Sequence, residues 1–224
     1  MRLANLRFMT QTARRSLGSN PQPDVADYTK KVCGAIRTGL SGWQTQAKFT
    51  NIKIMALSAI GTPGCLEGPN LGGLMKASCP QRNKWEREMT AVVTAAVGSA
   101  WATHQRSVTV PGLPWYPAFV AWPGPMAPPM PNVPFPFLAL TQQSVASTAQ
   151  SIKKSIEGCK LAYASDVAMA VSTGFQTGFL TWVGGVTVKN VMGKGPVPSF
   201  APPYVPVGPV VNGDIISTPG HLAG

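Results

Sequence analysis

This chain of 224 residues is short of charge, since Asp, Glu, Lys and Arg make up only 12% of it, about half the share usual in soluble domains. Only eight residues are acidic, with none between Asp27 and Glu67 or between Glu88 and Glu157. So few carboxylates leave little material for acid–base chemistry. The one close pair, Glu86 and Glu88, is spaced i,i+2, and on a helix the two side chains would face different directions, which argues against a carboxylate dyad. Histidine is equally scarce, with His104 and His221 far apart in sequence. His104 stands two residues before Arg106 at the end of a helical pattern and reads as a cation at a helix C-terminus rather than a base. No Gly-x-Ser-x-Gly elbow is present, and Gly193-Lys194-Gly195-Pro196 lacks the earlier glycine and the Ser/Thr of a phosphate-binding loop. These absences argue against an enzyme, and the residues imply no catalytic, cofactor-binding or metal-binding set.

Cysteine is also sparse. Cys33, Cys65, Cys79 and Cys159 contain no Cys-x-x-Cys pair, which argues against a zinc site. Cys65 and Cys79 bracket a Gly/Pro-rich stretch, and either a disulfide closes it or both are buried free thiols. Long apolar runs are missing as well. The longest uncharged stretch, Val167–Val188, is interrupted by Ser172, Thr173, Gly174, Gln176, Thr177, Gly178, Thr181, Gly184 and Gly185, too polar and glycine-rich for a membrane span.

Glycine and proline, by contrast, are abundant, at 23 and 22 residues, and the formal charge is +11. The basic excess is dispersed except at the N-terminus, where Arg2, Arg7, Arg14 and Arg15 precede the first acid, Asp24. Dispersed positive charge fits non-specific attraction to nucleic acid or acidic surfaces, without any recognition signature. Residues 1–20 read as a basic arm that docks on a partner. Its Arg-rich, acid-free character also fits an organellar targeting segment. Apolar residues make up 44% of the chain, enough for a core. Few charges combined with Pro-rich aromatic stretches point to apolar surface that is covered by neighbours.

Three segments follow the arm. In 21–78, Asn20-Pro21-Gln22-Pro23 breaks the chain and Asp24 starts a helix. Val25, Tyr28, Val32, Ala35, Ile36 and Leu40 recur at helical spacing up to Trp43. Ile52-Lys53-Ile54 then alternates, and Gly61–Gly73 reads as loop. In 79–140, a helix begins after Cys79-Pro80. It carries Trp85, Met89, Val92, Val93, Ala96 and Val97 up to Trp101, and is followed by the alternating Ser107–Val110. In 141–224, Ile152, Ile156, Cys159, Tyr163, Val167, Val171 and Phe175 suit one or two helices reaching Phe179, before Val186-Thr187-Val188. Aligning the segments superposes Trp43, Trp101 and Phe179 as a repeat core. Nine residues after each come Ile52, Val110 and Val188. An irregular internal repeat of helix–extended–arm units follows from this alignment.

The last two segments each carry a Pro-rich stretch. Pro117-Ala118-Phe119-Val120-Ala121-Trp122-Pro123-Gly124-Pro125 is matched downstream by Pro202-Pro203-Tyr204-Val205-Pro206-Val207-Gly208-Pro209. Proline fixes φ and removes a donor, so Pro111–Pro136 and Gly195–Gly208, which contain these stretches, read as extended arms. No Arg or Lys occurs in Val108–Leu140, unlike the basic-flanked ligands of proline-binding modules. Trp115, Tyr116, Phe119, Trp122, Phe200 and Tyr204 are therefore expected to be interface anchors.

The run Gly195–Val210 and the upstream Pro111-Gly112-Leu113-Pro114-Trp115-Tyr116-Pro117 resemble structural proteins of tailed-bacteriophage particles, of tail or baseplate type. The resemblance implies a virion subunit and carries over no functional residues. The expectation is a mainly α protein with short β segments and long Pro-rich arms, non-enzymatic and located in the virion. It would assemble with copies of itself and with neighbouring virion proteins, without a cofactor or a membrane. The alternatives are a minor capsid or internal nucleic-acid-associated basic virion protein, and an organellar protein.

Overall fold

The computed structural model describes residues 23–115, 126, 129–197, 200–201, 205–206 and 210–224, apart from the side chains at 23, 200, 201, 205 and 206. The chain forms two compact units. A helical unit comprises Met1–Gln44, Pro69–His104 and Gln143–Gly185, and a β unit comprises Thr45–Gly68, Gln105–Gln142 and Val186–Gly224. Each of the three segments marked out by sequence thus contributes to both units.

The helical unit is built from α1 (Pro23–Gln46), α2 (Leu71–Lys76), α3 (Lys84–Ser107), α4 (Val145–Glu157) and α5 (Ala164–Gly185). In α1, Val25, Tyr28, Val32, Ile36, Leu40 and Trp43 are all buried, a stripe of i,i+3/i+4 steps. On α3 the stripe is Met89, Val93, Ala96, Val97, Ala100 and Trp101. On α5 it is Val167, Val171, Phe175, Phe179 and Trp182. Local signals set the starts. Before α3, the Asn83 side chain accepts the Glu86 N–H at 2.8 Å as an N-cap, and the Glu86 carboxylate accepts the Arg82 N–H at 2.6 Å. Ser144 accepts the Ser147 N–H at 3.1 Å and opens α4.

Sequence reading placed a loop at Gly61–Gly73, but α2 begins inside it. Asn70 accepts the Gly73 N–H at 2.9 Å as its N-cap. Two glycines in six residues disfavour a helix by propensity. Tertiary packing overrides this, because a β-carbon at Gly72 would fall on the carbonyl oxygen of Thr94 in α3.

The β unit contains a six-stranded antiparallel sheet in the order β5-β3-β2-β12-β9-β6. These strands are β2 (Ile52–Met55), β3 (Ser58–Gly61), β5 (Val110–Pro114), β6 (Met130–Pro131), β9 (Met192–Lys194) and β12 (Gly213–Ile216). A three-stranded sheet joins β13 (Leu222–Ala223), β8 (Thr187–Val188) and β7 (Phe135–Pro136). Two further antiparallel pairs join β1 (Lys48–Phe49) to β4 (Leu66–Glu67) and β10 (Phe200–Ala201) to β11 (Val205–Pro206). In β2 the burial alternates, with Ile52 and Ile54 inside and Lys53 and Met55 outside, as a half-buried strand requires.

The expected fold class is therefore wrong. The protein is not a mainly α chain with long Pro-rich extended arms and a helix–extended–arm repeat, since the described residues form a six-stranded antiparallel sheet as well as five α-helices. Of the prolines that suggested arms, Pro111, Pro114, Pro131, Pro136 and Pro206 lie in strands, while most of the matched stretches 117–125 and 202–209 lies outside the described residues. Pro111 and Pro114 sit in β5, an edge strand, where a missing N–H donor is tolerated. Pro131 lies in β6, the opposite edge. Met126 bridges Pro196. The repeat also fails at strand level. Ile52 and Val110 both pair with Gly61 in the six-stranded sheet, whereas Val188 pairs with Leu222 and Phe135 in the three-stranded one.

Candidate functional site

The residues that sequence alignment superposed, Trp43, Trp101 and Phe179, meet in the interior of the helical unit. The Trp43 and Trp101 rings lie 4.7 Å apart and the Trp101 and Phe179 rings 5.0 Å apart, both edge to face. Trp182 and Phe175 extend the cluster, and the Trp182 Nε1–H donates to Gln44 Oε1 at 2.9 Å. His104 also belongs here. It is buried, stacked on Trp101 at 5.5 Å and set perpendicular to Phe179 at 4.8 Å, with Nδ1 3.4 Å from the Thr148 hydroxyl. His104 lies in the last turn of α3, as its place in the sequence suggested, but buried among aromatic rings.

The expected interface anchors fare differently. Trp115 is only 4% exposed and packs inside the β unit over Gly193. Its backbone N–H donates to Leu57 O, and it bridges Asn132. It is a core residue there, not a surface anchor. Tyr116, Phe119, Trp122 and Tyr204 lie outside the described residues. Phe200 belongs to β10, with its side chain outside the description.

Apolar surface does appear, at positions that sequence reading did not single out. The β2–β3 hairpin exposes Met55 at 47%, Leu57 at 55% and Ile60 at 50%. Its turn is held by Ala56, at φ +57°, whose N–H donates to Val210 O at 2.8 Å, next to the exposed Val211. On the same sheet, Asp214 is paired in register with Lys53 on one side and Lys194 on the other, and Lys53 Nζ reaches its carboxylate at 2.6 Å. Alternation hides such a patch from sequence reading. Met55 and Ile60 look like core residues until the register places them on the outer face.

Two clefts lie among the described residues of the helical unit. One, of about 360 Å³, runs along Asn70, Gly72, Lys76, Thr94, Gly98 and Ala102. The other, of about 300 Å³, is lined by Asp24, Val25, Asn83, Trp85 and Tyr163. Beside the second lies a charged network. The Arg82 guanidinium binds both Glu86 and Asp27, and Lys31 binds Asp27. The Arg82 hydrogen bonds hold the Glu86 carboxyl below its ordinary range, and Lys31 does the same for Asp27.

All four cysteines are free thiols. Burial pushes Cys33 up to about 12 and Cys65 and Cys79 up to about 11. These are protonated, weakly reactive groups. Cys65 donates to Val108 O at 3.5 Å. Among the described residues, no His/Cys/Asp/Glu group has the arrangement of a metal site, and no helix is long and apolar enough to cross a membrane. Comparison with protein-family models, curated proteins and solved structures finds no match.

Proposed function

We propose that the protein is a non-enzymatic structural subunit of a tailed-bacteriophage particle, of tail or baseplate type. It packs against copies of itself and neighbouring virion proteins through the apolar hairpin of its β unit. The observation that carries this reading is the outward-facing trio Met55, Leu57 and Ile60 on β2–β3. Exposed apolar side chains clustered on one hairpin mark interaction surfaces. Low charge density supports it, because apolar and weakly polar contacts are inexpensive to desolvate. The resemblance in Pro111–Pro117 and Gly195–Val210 supplies the class of assembly.

The test is incorporation. Met55→Glu combined with Leu57→Glu should leave the circular dichroism spectrum and thermal midpoint of the isolated chain unchanged and abolish its recovery in purified particles. Normal occupancy of the double variant would overturn the hairpin as the contact. Absence of the wild-type chain from every particle, or its recovery only with packaged DNA, would overturn the structural-subunit reading.

A further inference from the structure

The cleft of about 300 Å³ lined by Asp24, Val25, Asn83, Trp85 and Tyr163 lies wholly within the helical unit. We propose that it binds an organic ammonium head group, held between the Trp85 and Tyr163 rings and the Asp24 carboxylate. Its volume lies at the small end of ligand pockets. Its two aromatic walls are nearly perpendicular, with planes at 81° and ring centroids 6.4 Å apart. Aromatic faces attract cations through the ring quadrupole, Trp most strongly, and alkylated ammonium groups suit them because their methyls shed water easily. A carboxylate on the third side supplies the opposite charge.

The site is built rather than incidental. Trp85 is held by an edge-to-face contact with the buried Tyr28 ring at 5.0 Å and by the Nε1–H bond to Ala162 O at 2.9 Å. Tyr28 is itself anchored by Thr90, whose hydroxyl lies 3.2 Å from the phenol oxygen. Tyr163 adopts φ +61°, a left-handed conformation uncommon for a non-glycine residue, yet 46% of it stays exposed. Core burial therefore does not compensate for that backbone geometry, and such outliers cluster at ligand clamps. The nearby cations are already engaged, Lys31 by Asp27 and Arg82 by Asp27 and Glu86. Asp24 lines the cleft and enters none of the ion pairs among the described residues.

The experiment uses the full chain and a matched pair of probes, choline and its neutral carbon isostere 3,3-dimethyl-1-butanol, followed by the indole N–H resonance of Trp85. Choline is expected to produce a saturable shift in the millimolar range, with the isostere at least about tenfold weaker. Asp24→Asn should weaken choline about threefold to tenfold. Tyr163→Gly should weaken it further while retaining the fold, because glycine accepts φ +61° without penalty. An equal response to both probes, no saturation, or unchanged choline affinity in folded Tyr163→Gly would each overturn the proposal. N-acetyl-lysine methylamide, titrated in parallel, distinguishes the sources of the cation. A saturable response to it extends the site to lysine side chains of a neighbouring protein, and a response to choline alone restricts it to alkylated ammonium compounds.

Discussion

Trp43 and Trp101, 58 positions apart in sequence, meet edge to face with ring centroids 4.7 Å apart and planes at 86°. This contact ties α1 to α3, and Trp101 passes it on to Phe179 of α5. Both indoles are essentially buried, and the Trp101 Nε1 has no hydrogen-bond partner among the described residues. Trp101→Ala should therefore cost about 3–5 kcal/mol in urea unfolding of the full chain. Trp101→Phe should cost clearly less, since it removes ring area but breaks no indole hydrogen bond. Trp182→Phe should cost about 1 kcal/mol more than its lost area alone, because it breaks the bond to Gln44.

The β unit has a comparable polar keystone in Asn132, which is buried. Its Nδ2–H group donates to Val188 O at 3.1 Å and Val133 O at 2.6 Å, and its Oδ1 accepts the Val191 N–H at 2.9 Å. One side chain thus fastens β6 and β7 to the β8–β9 connection. Asn132→Asp replaces two donors with an acceptor aimed at carbonyl oxygens. It should destabilise the chain by about 2–4 kcal/mol at pH 7. Partial recovery is expected in acid, where the protonated carboxyl can donate once, and unfolding midpoints at pH 7 and pH 4.5 will show it.

The helices were legible because their apolar stripes are long and regular. Val25 to Trp43 and Met89 to Trp101 were read from spacing alone, whereas aligning Trp43, Trp101 and Phe179 as equivalent repeat positions did not foresee that they pack on one another. The sheet was not legible for a physical reason. Its strands run from two to five residues, so the alternation read at Ile52–Ile54 and Ser107–Val110 marked short extended pieces without their partners. They also pair across large separations, as β2 does with β12. Prolines in β5 and β6 read as arms because nothing local distinguishes an edge strand from an extended tail. The candidate cleft was equally hidden. Trp85 and Tyr163 were both read simply as helix-face residues, and their meeting depends on where α5 starts relative to α3.

Gly193 offers a sharp packing test, since its partners are Ile54 of β2 and Trp115, the residue after β5. A β-carbon there would fall on Ile54 Cδ1 of β2 and on the Trp115 ring, whose Cζ2 lies 2.6 Å from that position. Gly193→Ala should therefore destabilise the β unit by about 1–3 kcal/mol through overpacking. Combining it with Ile54→Val, which retracts the nearest methyl, should recover part of the loss. A double-mutant cycle in urea measures that coupling.

His221 sets the acid response of the C-terminal strand. Its ring is buried and stacked on Phe49 at 6.1 Å, and its Nδ1 accepts the Phe49 N–H at 3.3 Å. That bond requires an unprotonated Nδ1, so the proton resides on Nε2 and is donated to the Thr218 hydroxyl at 3.2 Å. Around the ring, Gly220 N–H binds Ala47 O, Lys189 N–H binds His221 O, and β13 pairs with β8. Protonation would turn a second N–H toward the Phe49 N–H inside a desolvated site, and burial holds the imidazole below its ordinary 6.5. The unfolded chain therefore binds this proton more readily than the folded one, so ∂ΔG/∂pH is positive in that window. The contribution is complete above the unfolded value and declines as pH falls below about 6.5, levelling off beneath the folded value. Glu86 and Asp27, both depressed, lose their contributions only at lower pH, below the ordinary carboxylate values of 4.5 and 3.8. The expected outcome is a lower urea midpoint at pH 5 than at pH 7.5 in the wild-type chain. In His221→Asn, whose amide oxygen can accept the Phe49 N–H without titrating, that difference should shrink. Faster amide exchange of Leu222 and Ala223 at pH 5 than base-catalysed scaling predicts would locate the loosening at β13, and an unchanged pH dependence in His221→Asn would assign the acid sensitivity to other groups.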